Sequence, residues 1–271
     1  MSPRIAARLE AAERIARSGG SIAARHFANL GELQVEAKSR QDFVSEADRE
    51  VEAHIRAALA QAFPGDGFLG EETGGEVEEP MWVVDPIDGT TNFLRGIPMF
   101  GVSLAWVSEG RCRVGVVYEP ATDKLYAATD EGPATLNGRP LALRPCAGLE
   151  EAIVAFGYSE RSGREAFLRR FPRVLNAHAE FRRLGAATIG LVSVASGQTD
   201  AFFQNHLSPW DVLAGLLIVE RAGGVVYDFL AQDGMHNGNT CFCASPGIVE
   251  HLAELLEIPQ DHLRRNADSG V

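Results

Sequence analysis

Long apolar runs are missing from this sequence of 271 residues. Nothing in it approaches the roughly 18–20 uninterrupted apolar residues that a membrane-crossing helix needs, so no membrane role is expected. Met1 to Glu10 is already charged and lacks the apolar centre of a secretion signal, which makes the cytoplasm the expected address. Basic charge is scarce as well: 25 Lys and Arg stand against 37 Asp and Glu, for a net charge of −12. Binding nucleic acid through its phosphates needs a basic surface, so a nucleic-acid partner is disfavoured. An acidic protein can still take an anionic small molecule when cations lie between its carboxylates and that ligand. Cysteine is rare, with four residues at Cys112, Cys146, Cys241 and Cys243. The Cys241-Phe242-Cys243 spacing is not the CxxC of a redox or zinc site, and on a strand both thiols face one way. Reduced, inert core thiols are the expectation. The histidines (His26, His54, His178, His206, His236, His251 and His262) show no HxxxH or comparable metal spacing. What remains is an ordinary composition, 45% hydrophobic, sufficient for one large domain or two closely packed ones.

The chain reads in two halves, residues 1–146 and 147–271. In the first, Ile5, Leu9, Ala12, Ile15 and Ala16 recur at helical spacing, weakened by Gly19 and Gly20, and predict a helix over 5–27. A polar stretch at about 38–42 follows, and Ser45 opens a second helix that Pro64 and Gly65 end. Phe68-Leu69 and Trp82-Val83-Val84 read as short buried strands. Longer strand patterns cover 100–107, 112–118 and 124–128, and Asn137-Gly138 marks a further hairpin. Such short connections make antiparallel pairs. The second half alternates instead. Strands at 152–156, 180–183, 200–203 and 225–228 interleave with helices at 164–175, 186–196 and 211–221, and a last strand and helix close the chain. Alternation predicts a largely parallel sheet with helices on its faces.

The densest chemical signal runs from Trp82 to Asn92. An apolar strand delivers Asp85 to its end, Pro86 stops the strand, and Asp88 follows ahead of Gly89-Thr90. Carboxylates this close repel one another unless a cation lies between them, and hard oxygen ligands suit Mg2+. The Gly89 and Thr90 amides, opening a turn or helix, can cradle a phosphate. Taken alone, the segment also reads as a turn rich in Asp and Gly, which is common at strand ends. Gly70-Glu71-Glu72 repeats the design upstream. Pro209-Trp210-Asp211 puts a carboxylate at the start of an apolar helix, where the helix dipole alone would favour it. Ser45-Glu46-Ala47-Asp48 likewise fits a capping box, so helix initiation by itself accounts for Asp48.

Together, Gly70-Glu71-Glu72, Asp85-Pro86-Ile87-Asp88-Gly89-Thr90-Thr91-Asn92-Phe93 and Trp210-Asp211-Val212-Leu213-Ala214-Gly215 resemble the inositol monophosphatase family. Order and spacing match as well as residue type, over roughly residues 5 to 255. The resemblance implies a phosphoric monoester hydrolase that uses two to three Mg2+ ions on a small-molecule phosphate ester. Glu71, Asp85 and the Ile87 carbonyl would hold a first ion. Asp85, Asp88 and Asp211 would hold a second, with Glu71 sharing a third, weaker one. Thr90 and Asp48 would orient and deprotonate the attacking water, which reverses the capping reading of Asp48. Amides at Gly89 and Thr90 would take phosphate oxygens, and Arg182, Gly185, Ala186, Ala187 and Asp211 match the region that cups the alcohol. One departure stands at Gln204, where inositol-specific members commonly carry a glutamate. A neutral amide still donates and accepts hydrogen bonds, which keeps inositol phosphate open, and it weakens the case for a cationic alcohol such as histidinol.

The implied substrate is inositol 1-phosphate. Histidinol phosphate, fructose 1,6-bisphosphate, phosphoadenosine phosphate and a non-catalytic metabolite-binding role are the alternatives. Lithium sensitivity and a homodimer also follow from the resemblance. The expected fold is a layered α/β structure, an αβαβα sandwich, with an antiparallel N-terminal sheet and a mixed, largely parallel C-terminal sheet.

Overall fold

The computed structural model describes residues 1–39, 42–158 and 163–265, and its layers follow from where the apolar side chains go. Of the polar stretch expected at 38–42, residues 40 and 41 fall outside that description. Helices α1 (Pro3–Phe27) and α2 (Glu46–Ala62) form one outer layer, and the chain between them makes the ribbon of β1 (Val35–Ser39) and β2 (Asp42–Ser45). The glycines that weaken the α1 pattern do not break the helix. A Cβ on Gly20 would sit 2.4 Å from the Tyr118 ring and one on Gly19 3.1 Å from Ile55, so both positions let α1 lie close against its neighbours.

The first sheet runs in chain order through β3 (Gly67–Gly70), β4 (Met81–Asp88), β5 (Gly101–Ser108), β6 (Arg111–Glu119), β7 (Lys124–Thr129), β8 (Thr135–Leu136) and β9 (Arg139–Pro140). Its pairs are antiparallel except β3 with β4. The link at 71–80 carries the chain back to the end where β3 began, so β4 runs beside it in the same direction. Asn137 and Gly138, at φ 49° and 75°, make the tight β8–β9 turn. Strand alternation divides the core: Trp82 and Val84 face α1 and α2, whereas Met81 and Val83 face the opposite layer.

The second sheet comprises β10 (Ile153–Phe156), β11 (Glu180–Arg182), β12 (Ala201–Leu207), β13 (Val225–Tyr227), β14 (Asn239–Ala244) and β15 (Leu263–Arg264), in the order β11-β10-β12-β14-β13-β15. It is mixed, but only β10 with β11 and with β12 pair parallel; the other three pairings are antiparallel. The crossover through α6 (Pro209–Arg221) does set β12 and β13 in one direction. The chain then turns back through α7 (Gly234–Asn237), and β14 slots between them, running against both. Helices α5 (Ala187–Ala195) and α6 fill the space between the sheets through Leu191, Val192, Val212 and Leu216. On the far face, α4 (Arg164–Asn176) and α8 (Val249–Leu255) pack through Val174, Phe171 and Leu252. The result is helix, sheet, helix, sheet, helix.

Cys241 and Cys243 both face the central layer, and Phe242 between them faces outward. All four cysteines are free, and burial pushes the Cys243 thiol up to about 12, so it stays protonated and inert. No described helix is long and apolar enough to cross a membrane.

Candidate active site

Strand β4 places two acids on one face by breaking its own register. Asp85 lies opposite Ser103 of β5 and Asp88 opposite Gly101, so three steps along β4 match two along β5. The extra residue at Pro86-Ile87 is a β-bulge, and Pro86, with no N–H to donate, tolerates the missing ladder bond. Regular alternation would have sent Asp85 and Asp88 to opposite faces. With the bulge, both point into the central layer, and the Ile87 side chain is buried toward α1 and α2.

Glu71 arrives through the parallel pair. Its N–H donates to Val84 O at 3.1 Å, one residue before Asp85, which brings the two carboxyl groups together. Asp211 arrives on the first turn of α6, where the Ser208 N–H donates to its Oδ2 at 2.8 Å. Ser103, opposite Asp85, donates its hydroxyl to Trp210 O at 3.1 Å and so docks the start of α6 on β5. Carboxylate oxygens of Asp85, Asp88 and Asp211 lie within 4.8 Å of one another, a grouping that no other His, Cys, Asp or Glu set makes among the described residues.

Burial, reinforced by the neighbouring Glu71, Asp88 and Asp211 charges, holds the Asp85 carboxyl well above the usual carboxylate range. Burial raises Asp88 too, while donors from Thr188, Ala187 and Gly89 pull it back. Thr188 gives Asp88 Oδ2 both its N–H, at 2.7 Å, and its hydroxyl. Asp85 Oδ1 accepts the Ile87 N–H at 3.0 Å, but the buried Oδ2 has no hydrogen-bond partner in the protein. An orphaned carboxylate oxygen among other acids is costly as it stands and suits a hard divalent cation. The donor set fits Mg2+.

Asp48 performs two tasks at once. Its Oδ2 accepts the Ser45 N–H at 2.8 Å, which caps α2, and its Oδ1 accepts the Thr90 hydroxyl at 3.3 Å. The capping and site readings of Asp48 are therefore compatible. Thr90 Oγ1 also lies 3.0 Å from Ile87 O, and burial raises the Asp48 carboxyl against the pull of Ser45 and Thr90. Gly89 opens α3 (Thr90–Leu94) at φ 90°, where a Cβ would meet Ala186 at 2.9 Å and Met99 O at 3.0 Å. Only glycine fits there.

Beside Asp88 opens a cleft of about 140 Å3 lined by Arg183, Gly185, Ala186, Ala187 and Gln204. Arg182, the arginine singled out from sequence, is exposed, donates to Phe181 O at 2.7 Å and pairs with Glu180 at 3.2 Å. The adjacent Arg183, just past the end of β11, lines the cleft instead. Asn92 ties the two halves together here, its Nδ2 donating to Met99 O and Leu184 O at 2.8 Å each.

The inositol monophosphatase family model matches residues 6–260. The chain belongs to that family. It is 41% identical over 230 residues to the inositol-1-monophosphatase of Mesorhizobium japonicum, spanning 83% of this chain and 86% of the relative. It is also 34% identical over 269 residues to the Nus factor SuhB of Vibrio cholerae, spanning 97% and 98%. Among solved structures, the IMPase of Thermotoga maritima superposes with a TM-score of 0.82 at 30% identity, covering 92% of this chain and 96% of that one. Membership makes this chain a phosphomonoesterase, and inositol monophosphatases are in general metal-dependent. Two supporting side chains of this family member went unnoticed in the sequence, Ser103 and Thr188, and Asn92 entered only as part of the motif. The signal for the first two was a lone hydroxyl inside an apolar strand or helix run.

Proposed function

We propose that this phosphomonoesterase hydrolyses a small polyol phosphate, inositol 1-phosphate foremost, using Mg2+ and water as the nucleophile. The observation that carries the reading is the buried, unpartnered Oδ2 of Asp85 within the acid cluster. In this reading Glu71, Asp85 and the Ile87 carbonyl hold one ion, Asp85, Asp88 and Asp211 hold a second, and Glu71 shares a weaker third. Bound cations neutralise the phosphate dianion, acidify water and stabilise the leaving alkoxide.

The remaining work falls to side chains. Asp48 and the Ile87 carbonyl fix the Thr90 hydroxyl, so that its oxygen faces the attacking water. Burial makes Asp48 a stronger base than a free aspartate, and with Thr90 it takes the water's proton. Thr90 does not attack phosphorus itself, since that would require a still stronger base. The Gly89 and Thr90 amides receive phosphoryl oxygens. The alcohol occupies the cleft bounded by Asp88, Gly185, Ala186 and Ala187, with Asp211 reaching it from the acid cluster beside Asp88. Gln204 and Arg183 suit hydroxyl groups and repel or ignore an ammonium, which favours inositol over histidinol. A cytoplasmic homodimer inhibited by lithium completes the proposal.

Phosphate release from inositol 1-phosphate, histidinol phosphate, fructose 1,6-bisphosphate and phosphoadenosine phosphate, at fixed Mg2+ and with EDTA, tests it. Turnover should be greatest on inositol 1-phosphate, vanish in EDTA and return with Mg2+. Higher efficiency on histidinol phosphate would reverse the substrate assignment. Absence of Mg2+-dependent turnover on every ester would overturn the phosphatase reading and leave a non-catalytic binding role.

A further inference from the structure

Asp48 is not the only buried acid on α2. One turn further on, on the same face of the helix, Glu52 is 0% exposed. Among the described residues no arginine or lysine balances it: Arg49 pairs with Glu36, and Arg56 reaches Thr73 Oγ1 and lies over the Phe68 ring. Both of its carboxylate oxygens are spent on backbone amides of the loop after β3. Oε2 accepts the Glu72 N–H at 2.9 Å and Oε1 the Thr73 N–H at 2.8 Å. Gly70 makes room for this contact, because a Cβ there would lie 2.5 Å from Glu52 Oε2 and 2.6 Å from its Cδ. Gly70 and Gly74 close the loop with reciprocal backbone bonds of 3.1 and 3.0 Å. Glu71 therefore sits between two anchors, its own N–H on Val84 O and the following two amides on Glu52.

We propose that Glu52 is a positioning residue for metal binding: by gripping the amides of Glu72 and Thr73 it fixes the backbone of Glu71 and aims that carboxylate beside Asp85. Helix α2 then carries, on successive turns, the acid that holds Thr90 and the acid that holds the ligand loop. A shift of α2 would misplace both together. The inference rests on the metal-dependent reading above and not on the choice of substrate. Glutamine cannot replace Glu52, since its amide nitrogen would face one of the two N–H donors. Groups that orient a metal ligand from behind are typically worth about 10–100-fold in metal affinity or activity.

The test is calorimetric titration of Mg2+ into the metal-free full chain, beside kcat and KM for inositol 1-phosphate and the melting temperature in EDTA. Glu52→Gln should weaken Mg2+ binding by about 10-fold or more, raise the Mg2+ needed for half-maximal rate in parallel, and leave KM within about twofold. Gly70→Ala keeps the carboxylate but crowds it, so it should shift Mg2+ binding the same way and answers the question if Glu52→Gln does not fold. Wild-type Mg2+ affinity in either folded variant overturns the inference and leaves the phosphatase reading standing. A lowered melting temperature with unaltered Mg2+ binding also overturns it, reducing Glu52 to a purely structural part. A wild-type chain that binds no Mg2+ overturns both.

Discussion

The two sides of the site are built differently. On the acid side, Asp85 is 1% exposed and Asp88 8%, both on the paired strand β4, and Asp211 sits in the capped first turn of α6. On the proposed alcohol side, the cleft borders β11, an edge strand whose residues are all exposed, and Arg183 is exposed as well. The acid cluster is thus fixed by register inside the sheet, where a one-residue slip would scatter the acids. In the proposed reading selectivity is set at an edge, where side chains can change at little cost to the fold.

The sharpest way to break this contrast is Asp85→Asn. The new amide would put an N–H donor where the orphaned Oδ2 now faces Glu71, Asp88 and Asp211. Activity should fall on the order of 10³-fold, the loss of several kcal/mol of cation-mediated stabilisation. Stability should move the other way. A carboxyl whose folded pKa is raised costs stability above its ordinary range, and that cost fades as pH falls, so removing the charge should raise the melting temperature in EDTA at neutral pH. Melting scans with and without Mg2+ check this; a lower value in EDTA would contradict the like-charge account. Thr90→Ala comes next. It should cost about 10²-fold in kcat, as for loss of a positioned proton-transfer partner, with Mg2+ affinity by calorimetry little changed. A large loss of Mg2+ affinity would move Thr90 into the ligand set.

A smaller effect is expected one layer back, and it bears on what a sequence can disclose. Thr188→Val removes the hydroxyl from Asp88 Oδ2 but keeps the N–H and the shape, so Mg2+ affinity should drop about 10-fold with little change in KM. Equal Mg2+ affinity would show that the N–H alone suffices. The acids were legible as candidates because Asp85, Asp88 and Glu71 each stand beside Gly or Pro at the end of an apolar run, a local pattern, although β4 continues past Asp85 to Asp88. Thr188 was not, because its partner is 100 positions away and its own surroundings are simply helical. The same limit applies to the fold. Antiparallel hairpins in the first sheet follow from short turns, whereas the parallel β3–β4 edge and the insertion of β14 between β12 and β13 depend on tertiary pairing that no local turn signal records. Asp48 lay between these cases: its capping bond is local and its bond to Thr90 is not.

The weakest substitution tests the edge itself. Gln204 is 9% exposed, and Gly157 opposite it is pressed so close that a Cβ would lie 1.9 Å from Oε1. Glutamate has the same shape, so Gln204→Glu adds one negative charge to the cleft and gives up only the long Nε2 donation to His206 O at 3.4 Å. Hydroxyl groups gain little from it, because the amide oxygen already accepts hydrogen bonds. An ammonium gains a partner. The ratio of kcat/KM for histidinol phosphate over inositol 1-phosphate should therefore rise about 10-fold, or roughly 1.4 kcal/mol, while Mg2+ affinity stays the same. Since Gln204 belongs to the cleft and not to the acid cluster, a change in Mg2+ affinity without a change in that ratio would mean the two sides are not separable, and the alcohol would have to be sought elsewhere on the rim.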